Sequence, residues 1–116
     1  MTTYVSMDGV LSDVTLPTRT ITVGSTVVMT SEDYEVIICK TVSGATAVSL
    51  PPSPVNGQTC RVSDGKGDLA IGSNEITVTD PAGKLINGSS SLVMRAPYQS
   101  TQFRFNATAD KWNTIT

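Results

Sequence analysis

Thr101-Gln102-Phe103-Arg104-Phe105-Asn106 alternates core-type and polar side chains without a break. Successive side chains of a strand point to opposite faces, so the odd positions belong to a core and the even ones to water. The same period of two recurs at Ile76/Val78, Cys60/Val62 and Leu92/Met94. Nowhere do apolar residues repeat at helical spacing over the roughly 10–12 residues a helix needs, so the pattern is that of an all-β protein. Tyr34 to Lys40 departs from simple alternation. Val36 and Ile38 face one way, Ile37 and Cys39 the other, which predicts a central strand covered on both sides.

Turn signals divide these strands. Gly24-Ser25 lies between Thr20-Ile21-Thr22-Val23 and Thr26-Val27-Val28-Met29, and predicts a tight hairpin with glycine at positive φ. Asn56-Gly57 and Asn87-Gly88 are strong turn dipeptides, and Asp80-Pro81-Ala82-Gly83 adds a turn whose proline presets φ. Pro51-Pro52-Ser53-Pro54 lacks the N–H groups a central ladder requires and is expected to be a rigid extended connector. This spacing predicts an antiparallel β-sandwich or jelly-roll-like barrel, a single body over residues 20–116. Residues 1–19 carry scattered apolar positions, Tyr4, Val5, Met7, Val10, Leu11, Val14 and Leu16, with too little period to define a core. They read either as an N-terminal arm or as a first edge strand of the same domain. An arm of this kind gains order from a partner.

Composition narrows the functions. A chain of 116 residues makes one domain, since domains most often hold about 100–150. Charged residues are 16% of the chain against roughly 25% in soluble domains, with Thr, Ser and Val abundant. A net charge of −2 and no Lys/Arg run leave nothing to neutralise a phosphate backbone, so neither nucleic acid nor an acidic membrane is an expected partner. The longest apolar run, Val36-Ile37-Ile38-Cys39, is far short of the roughly 18 residues of a membrane helix. Met1-Thr2-Thr3-Tyr4-Val5-Ser6 lacks the basic start and apolar middle of a secretion signal, which places synthesis in the cytoplasm. Cys39 and Cys60 are too few for a disulfide framework or a zinc site; reduced thiols are expected, with a single bridge as the alternative.

Catalytic chemistry has few candidates. The absence of histidine removes the usual general base and the commonest metal ligand, and no Ser-x-x-Lys pair replaces it. Asp64, Asp68 and Asp80 sit in turns, where aspartate caps backbone N–H groups. Asp64-Gly65-Lys66-Gly67-Asp68 lacks the oxygen-ligand series of an EF-hand and sets Lys66 between its acids. No catalytic, cofactor-binding or metal-ligating residue is therefore assigned. A polysaccharide-cutting cleft on an extended β-helix is not expected, because this chain is too short to build one. Phe103, Phe105 and Trp112 are candidates for a sugar-stacking platform or a subunit contact, with core packing as the alternative. Arg95 and Arg104, expected on adjacent strands with Glu75 opposite, are candidate ion-pairing positions within or between subunits.

The order of the segments carries a resemblance. Asp33-Tyr34 and Ser49 to Gln58 lead into Val62-Ser63-Asp64-Gly65-Lys66-Gly67-Asp68-Leu69, Ile76-Thr77-Val78, Leu85-Ile86-Asn87-Gly88, Tyr98-Gln99-Ser100, Phe103-Arg104-Phe105 and Trp112. The last three quarters of the chain resembles segments of bacteriophage virion-surface proteins: tail fibres, tail spikes and small capsid-attached proteins. With Met1 at one end and the Trp112 segment at the other, the chain is expected to be a whole small gene product and resembles a capsid decoration (cement) protein. That resemblance implies a homotrimer on the capsid surface of the virion, with the major capsid protein as partner. It would be gripped through Tyr4, Val5, Met7, Val10, Leu11, Val14 and Leu16, leaving Arg95, Phe103, Arg104, Phe105 and Trp112 for subunit or glycan contact. The alternative within the same resemblance is a tail-fibre or receptor-binding tip module that touches host surface glycans; an enzyme is not expected.

Overall fold

The computed structural model describes residues 2–5, 11–14 and 16–115. β1 (Thr2–Val5) and β2 (Leu11–Val14) pair antiparallel in a two-stranded sheet of their own. Six strands then alternate between two further sheets: β3 (Thr18–Ile21), β4 (Thr26–Val28), β5 (Glu35–Ile38), β6 (Thr46–Ser49), β7 (Thr59–Asp64) and β8 (Ile76–Thr79). β3, β5 and β7 lie side by side and parallel in one sheet, and β4, β6 and β8 do the same in the other. The chain thus winds through three stacked coils, each giving one strand to each face. β9 (Leu92–Met94) closes the four-stranded sheet antiparallel to β8, while β10 (Ser100–Asn106) and β11 (Lys111–Ile115) extend the five-stranded sheet antiparallel beyond β7.

The protein is all-β, as expected, but its sheets are mixed rather than antiparallel. Gly24, at φ +98°, turns the chain from the first sheet into the second instead of folding β4 back on β3. A corner and a hairpin make the same local demand, a glycine at positive φ between two strands. They differ only in which partner each strand finds. Three short parallel coils fit within this chain, although an extended β-helix does not. β3 also reaches back to Thr18 and pairs with β5, so the body takes in the end of the segment set apart as residues 1–19.

Stacking in register builds columns of like side chains. Val27, Val48 and Val78 pair in sequence across β4, β6 and β8, and all three are buried. The ladder continues past the strands, with Met29 N–H donating to Ser49 C=O at 3.0 Å and Leu50 N–H to Thr79 C=O at 2.8 Å. Met29, Leu50 and Asp80 thereby hold the same place in successive coils. On the other sheet, Val36 faces Val62, and Ile21, Ile38 and Asp64 follow one another. The antiparallel strands add Phe103, Phe105 and Trp112, so the core runs unbroken from the coils into the closing strands. Phe105 and Trp112 meet edge to face with ring centroids 5.3 Å apart, a favoured aromatic geometry.

Leu50 is fully buried within its column, whereas Val28 is 62% exposed on the outer face of β4. Leu50→Ala is expected to cost about 2–5 kcal/mol in urea unfolding. Val28→Ala is expected to stay within about 0.5 kcal/mol of the parent.

Candidate functional site

Three of the columns finish in charge at one end. At the start, Arg19 pairs across β5 with Val36 and so shares its inward row. Its guanidinium forks onto Asp33, Nε to Oδ1 and Nη2 to Oδ2, each at 2.9 Å, and reaches the Val28 carbonyl at 3.1 Å. Burial pushes the Asp33 carboxyl up, but the hydrogen bonds from Arg19 and Thr30 and the Arg19 charge outweigh it and hold the group below its ordinary value. At the far end, Asp64 and Asp80 occupy the places where the earlier coils carry Ile21/Ile38 and Met29/Leu50.

Asp64 and Asp80 commit their oxygens to the protein itself. Asp64 accepts from the backbone N–H groups of Lys66 and Gly67 in its own turn and from Tyr98 N–H at 2.9 Å in the segment before β10. Asp80 Oδ2 accepts from Ala82 N–H and Lys84 N–H, while Oδ1 accepts the Trp112 indole N–H at 2.9 Å. Each carboxylate joins a turn of the third coil to the antiparallel strands that cover it. With Asp64 so engaged, Asp64-Gly65-Lys66-Gly67-Asp68 is turn chemistry, and Asp68 turns to the Asn74 amide at 3.2 Å.

The expected contact residues fall into three groups. Phe103, Phe105 and Trp112 are at most 3% exposed, so no ring face is open to a sugar or a subunit and packing is their role. An exposed aromatic ring is instead that of Tyr98, in the segment between β9 and β10, 69% exposed at φ +59° and lying over Gly67, where a Cβ would run into it. Arg95 pairs with Glu75 at 3.1 Å, as anticipated, but Arg104 lies on the five-stranded sheet, not beside Arg95. Of the N-terminal positions, Tyr4, Val5, Leu11 and Val14 fall within β1 and β2, and Leu16 lies half-buried ahead of β3. Met7 and Val10 lie outside the described residues.

Cys39 and Cys60 are unpaired. Burial, with a smaller push from the Asp33 charge, raises the Cys60 thiol to about 12. Among the described residues no group of three His, Cys, Asp or Glu side chains converges as a metal-binding set, and no helix is long and apolar enough to cross a membrane. Among the described residues the surface carries a cleft of about 470 Å³ beside Leu92, Ser100 and Ile115, and two further open features. One is a cavity of about 390 Å³ at the corners of the first two coils, where Val23 and Val42 stand more than 70% exposed. The other is a polar cleft of about 340 Å³ beside Arg104. No protein-family model matches the chain, and no curated protein matches it.

Asp80→Ala strands the buried Trp112 N–H and frees two turn N–H groups, and is expected to cost about 2–4 kcal/mol with a red-shifted emission from the lone tryptophan. Cys60 supplies a pH signature. The folded thiol holds its proton to about 12 against an ordinary 9.0, so between those values the folded state binds more protons than the unfolded. Its contribution is complete below pH 9 and is lost as pH rises toward 12. Unfolding free energy measured from pH 8 to 11 is expected to fall less steeply in Cys60→Ala than in the parent.

Proposed function

We propose that the protein is a structural component of a bacteriophage virion, a capsid decoration (cement) protein that sits on the outside of the head and stabilises the shell, without enzymatic activity. The observation that carries this reading is the β1–β2 pair, which among the described residues forms a two-stranded sheet of its own. A lone two-stranded hairpin is marginal in water, so a larger surface that covers it supplies the missing stability. In the proposed assembly the hairpin is the arm that grips the major capsid protein, and the body projects outward. The order of sequence segments supports the virion setting. Self-association into a trimer is part of the same proposal, supported by the exposed Val23 and Val42 at the coil corners and by β3 and β4, which among the described residues pair on one side only. Repetition over a lattice lets modest contacts from several arms combine.

A second reading, a tail-fibre or receptor-binding module, draws on the parallel coils. β3 and β4 are the outermost strands at one end of both sheets, and a further coil of a longer shaft can pair there. Cryo-electron microscopy of the parent virion separates the two, since decoration places many copies over the lattice and a tail module a handful at one vertex. For the arm itself, a truncated chain starting at Pro17 keeps the carbonyl that Tyr34 and Glu35 N–H bond to. It is expected to retain the parent's thermal midpoint and lose binding to undecorated shells in a co-sedimentation assay. Undiminished binding by the truncated chain would overturn the arm.

A further inference from the structure

Arg104 stands on the outer face of the five-stranded sheet, flanked in register by Thr59 on β7 and Asn113 on β11. The turn before β7 and the turn after β10 rise beside it to form the cleft of about 340 Å³, lined by Asn56, Gly57, Arg104, Asn106, Thr108 and Asn113 together with Phe105. Its chemistry is polar, with a single charge. Asn56 Oδ1 accepts from Ala107 N–H at 3.0 Å, and Asn106 Oδ1 accepts from Ala109 N–H at 3.2 Å. Those bonds orient the two side-chain amides, leaving each –NH₂ group and a second lone pair on each oxygen to offer. The Asn113 amide, the Thr108 hydroxyl and the Arg104 guanidinium complete the lining, and no carboxylate is among them.

Arg104 is also uncommitted. Arg19 and Arg95 are ion-paired and Arg61 lies over the Tyr34 ring, whereas among the described residues Arg104 makes no ion pair or hydrogen bond. A guanidinium offers a planar fork of donors that matches a carboxylate two bonds at a time. Around it the cleft presents amides and a hydroxyl, the groups that meet ring hydroxyls. The volume is at the lower end of small-molecule sites, about 300–1,000 Å³, room for a single sugar unit. A protein partner is less well suited, because the centre of a protein interface buries apolar surface and the side chains that open into this cleft are polar. Nucleic acid is less suited again, since one cation on a chain of charge −2 neutralises too little phosphate.

We propose that this cleft binds an acidic monosaccharide unit, with the sugar carboxylate paired to Arg104 and the ring hydroxyls held by Asn56, Asn106, Thr108 and Asn113. The site rests on the cleft alone and stands whether the body is carried on a capsid or a tail. Backbone-amide NMR titration of the full chain tests it, with the methyl glycosides of glucuronic, galacturonic and N-acetylneuraminic acids as probes, methyl glucoside as the neutral counterpart and sodium sulfate as a bare anion. At least one acidic glycoside is expected to bind with a dissociation constant of millimolar order, shifting amides at 56–58, 104–108 and 113. Methyl glucoside should bind at least about tenfold more weakly, and Arg104→Gln should lose the acidic sugar by a similar factor while keeping the parent's thermal midpoint. Arg95→Gln, which alters a paired arginine, should bind as the parent does. The proposal is overturned if no acidic glycoside moves those amides at tens of millimolar, if sulfate reproduces the shifts at equal affinity, or if Arg104→Gln binds unchanged.

Discussion

Asp80 sits where Met29 and Leu50 sit in the coils before it, at the end of a buried apolar column, and its carboxylate holds the Trp112 indole N–H. A carboxylate placed there without partners would carry a desolvation cost of several kcal/mol, so its presence makes sense only because three donors converge on it. Asp64 repeats the device on the opposite sheet, following Ile21 and Ile38 and taking Tyr98 N–H. Stacked parallel coils have no intrinsic end, since each leaves a row of backbone groups and an apolar column for the next. Two aspartates in the third coil convert that repeating surface into one that accepts an antiparallel cover. β9, β10 and β11 form that cover, and Phe103, Phe105 and Trp112 are buried beneath it.

The other end is closed less completely. Arg19 covers the apolar columns of the first coil and is held by Asp33, but β3 and β4 keep one edge unpaired with the body. Exposed edges are a hazard that proteins blunt with charge, short strands or a covering segment. Both strands are short, and β3 carries Arg19. β9 and β11 are the outermost strands at the opposite end, and in the proposed assembly it is the N-terminal end that faces a partner. On that view the outer face of the five-stranded sheet, with Arg104 and its ring of amides, belongs to the solvent-facing part of the body.

Much of the architecture was legible residue by residue. Alternation at Thr101–Asn106, Ile76/Val78 and Cys60/Val62 assigned inward and outward faces as the structure has them, because a strand's faces are decided by a period of two whatever its partners. Asn87-Gly88 turns with both φ positive, and Asp80-Pro81-Ala82-Gly83 closes a turn through Gly83 N–H to Asp80 C=O, as their side-chain chemistry dictates. A trace of the coils was present too: Val27, Val48 and Val78 each sit inside a short β-branched run and stack in register. Unequal loops between those runs hide the repeat from a search at fixed period.

The sequence by itself determined the all-β character, the strand faces, most turns and the scarcity of catalytic groups, because each depends on a residue and its immediate neighbours. Tertiary structure alone decided the rest. Whether Gly24 makes a hairpin or a corner depends on which strand is available to pair with Thr26–Val28, and that strand, β6, lies some twenty residues on. Likewise the meeting of Asp80 with Trp112, the separation of Arg95 from Arg104, and the gathering of Asn56 with Asn106 and Asn113 are contacts between distant segments. Local chemistry fixes what each side chain can do, and only the long-range pairing of backbone N–H and C=O groups fixes which side chains meet.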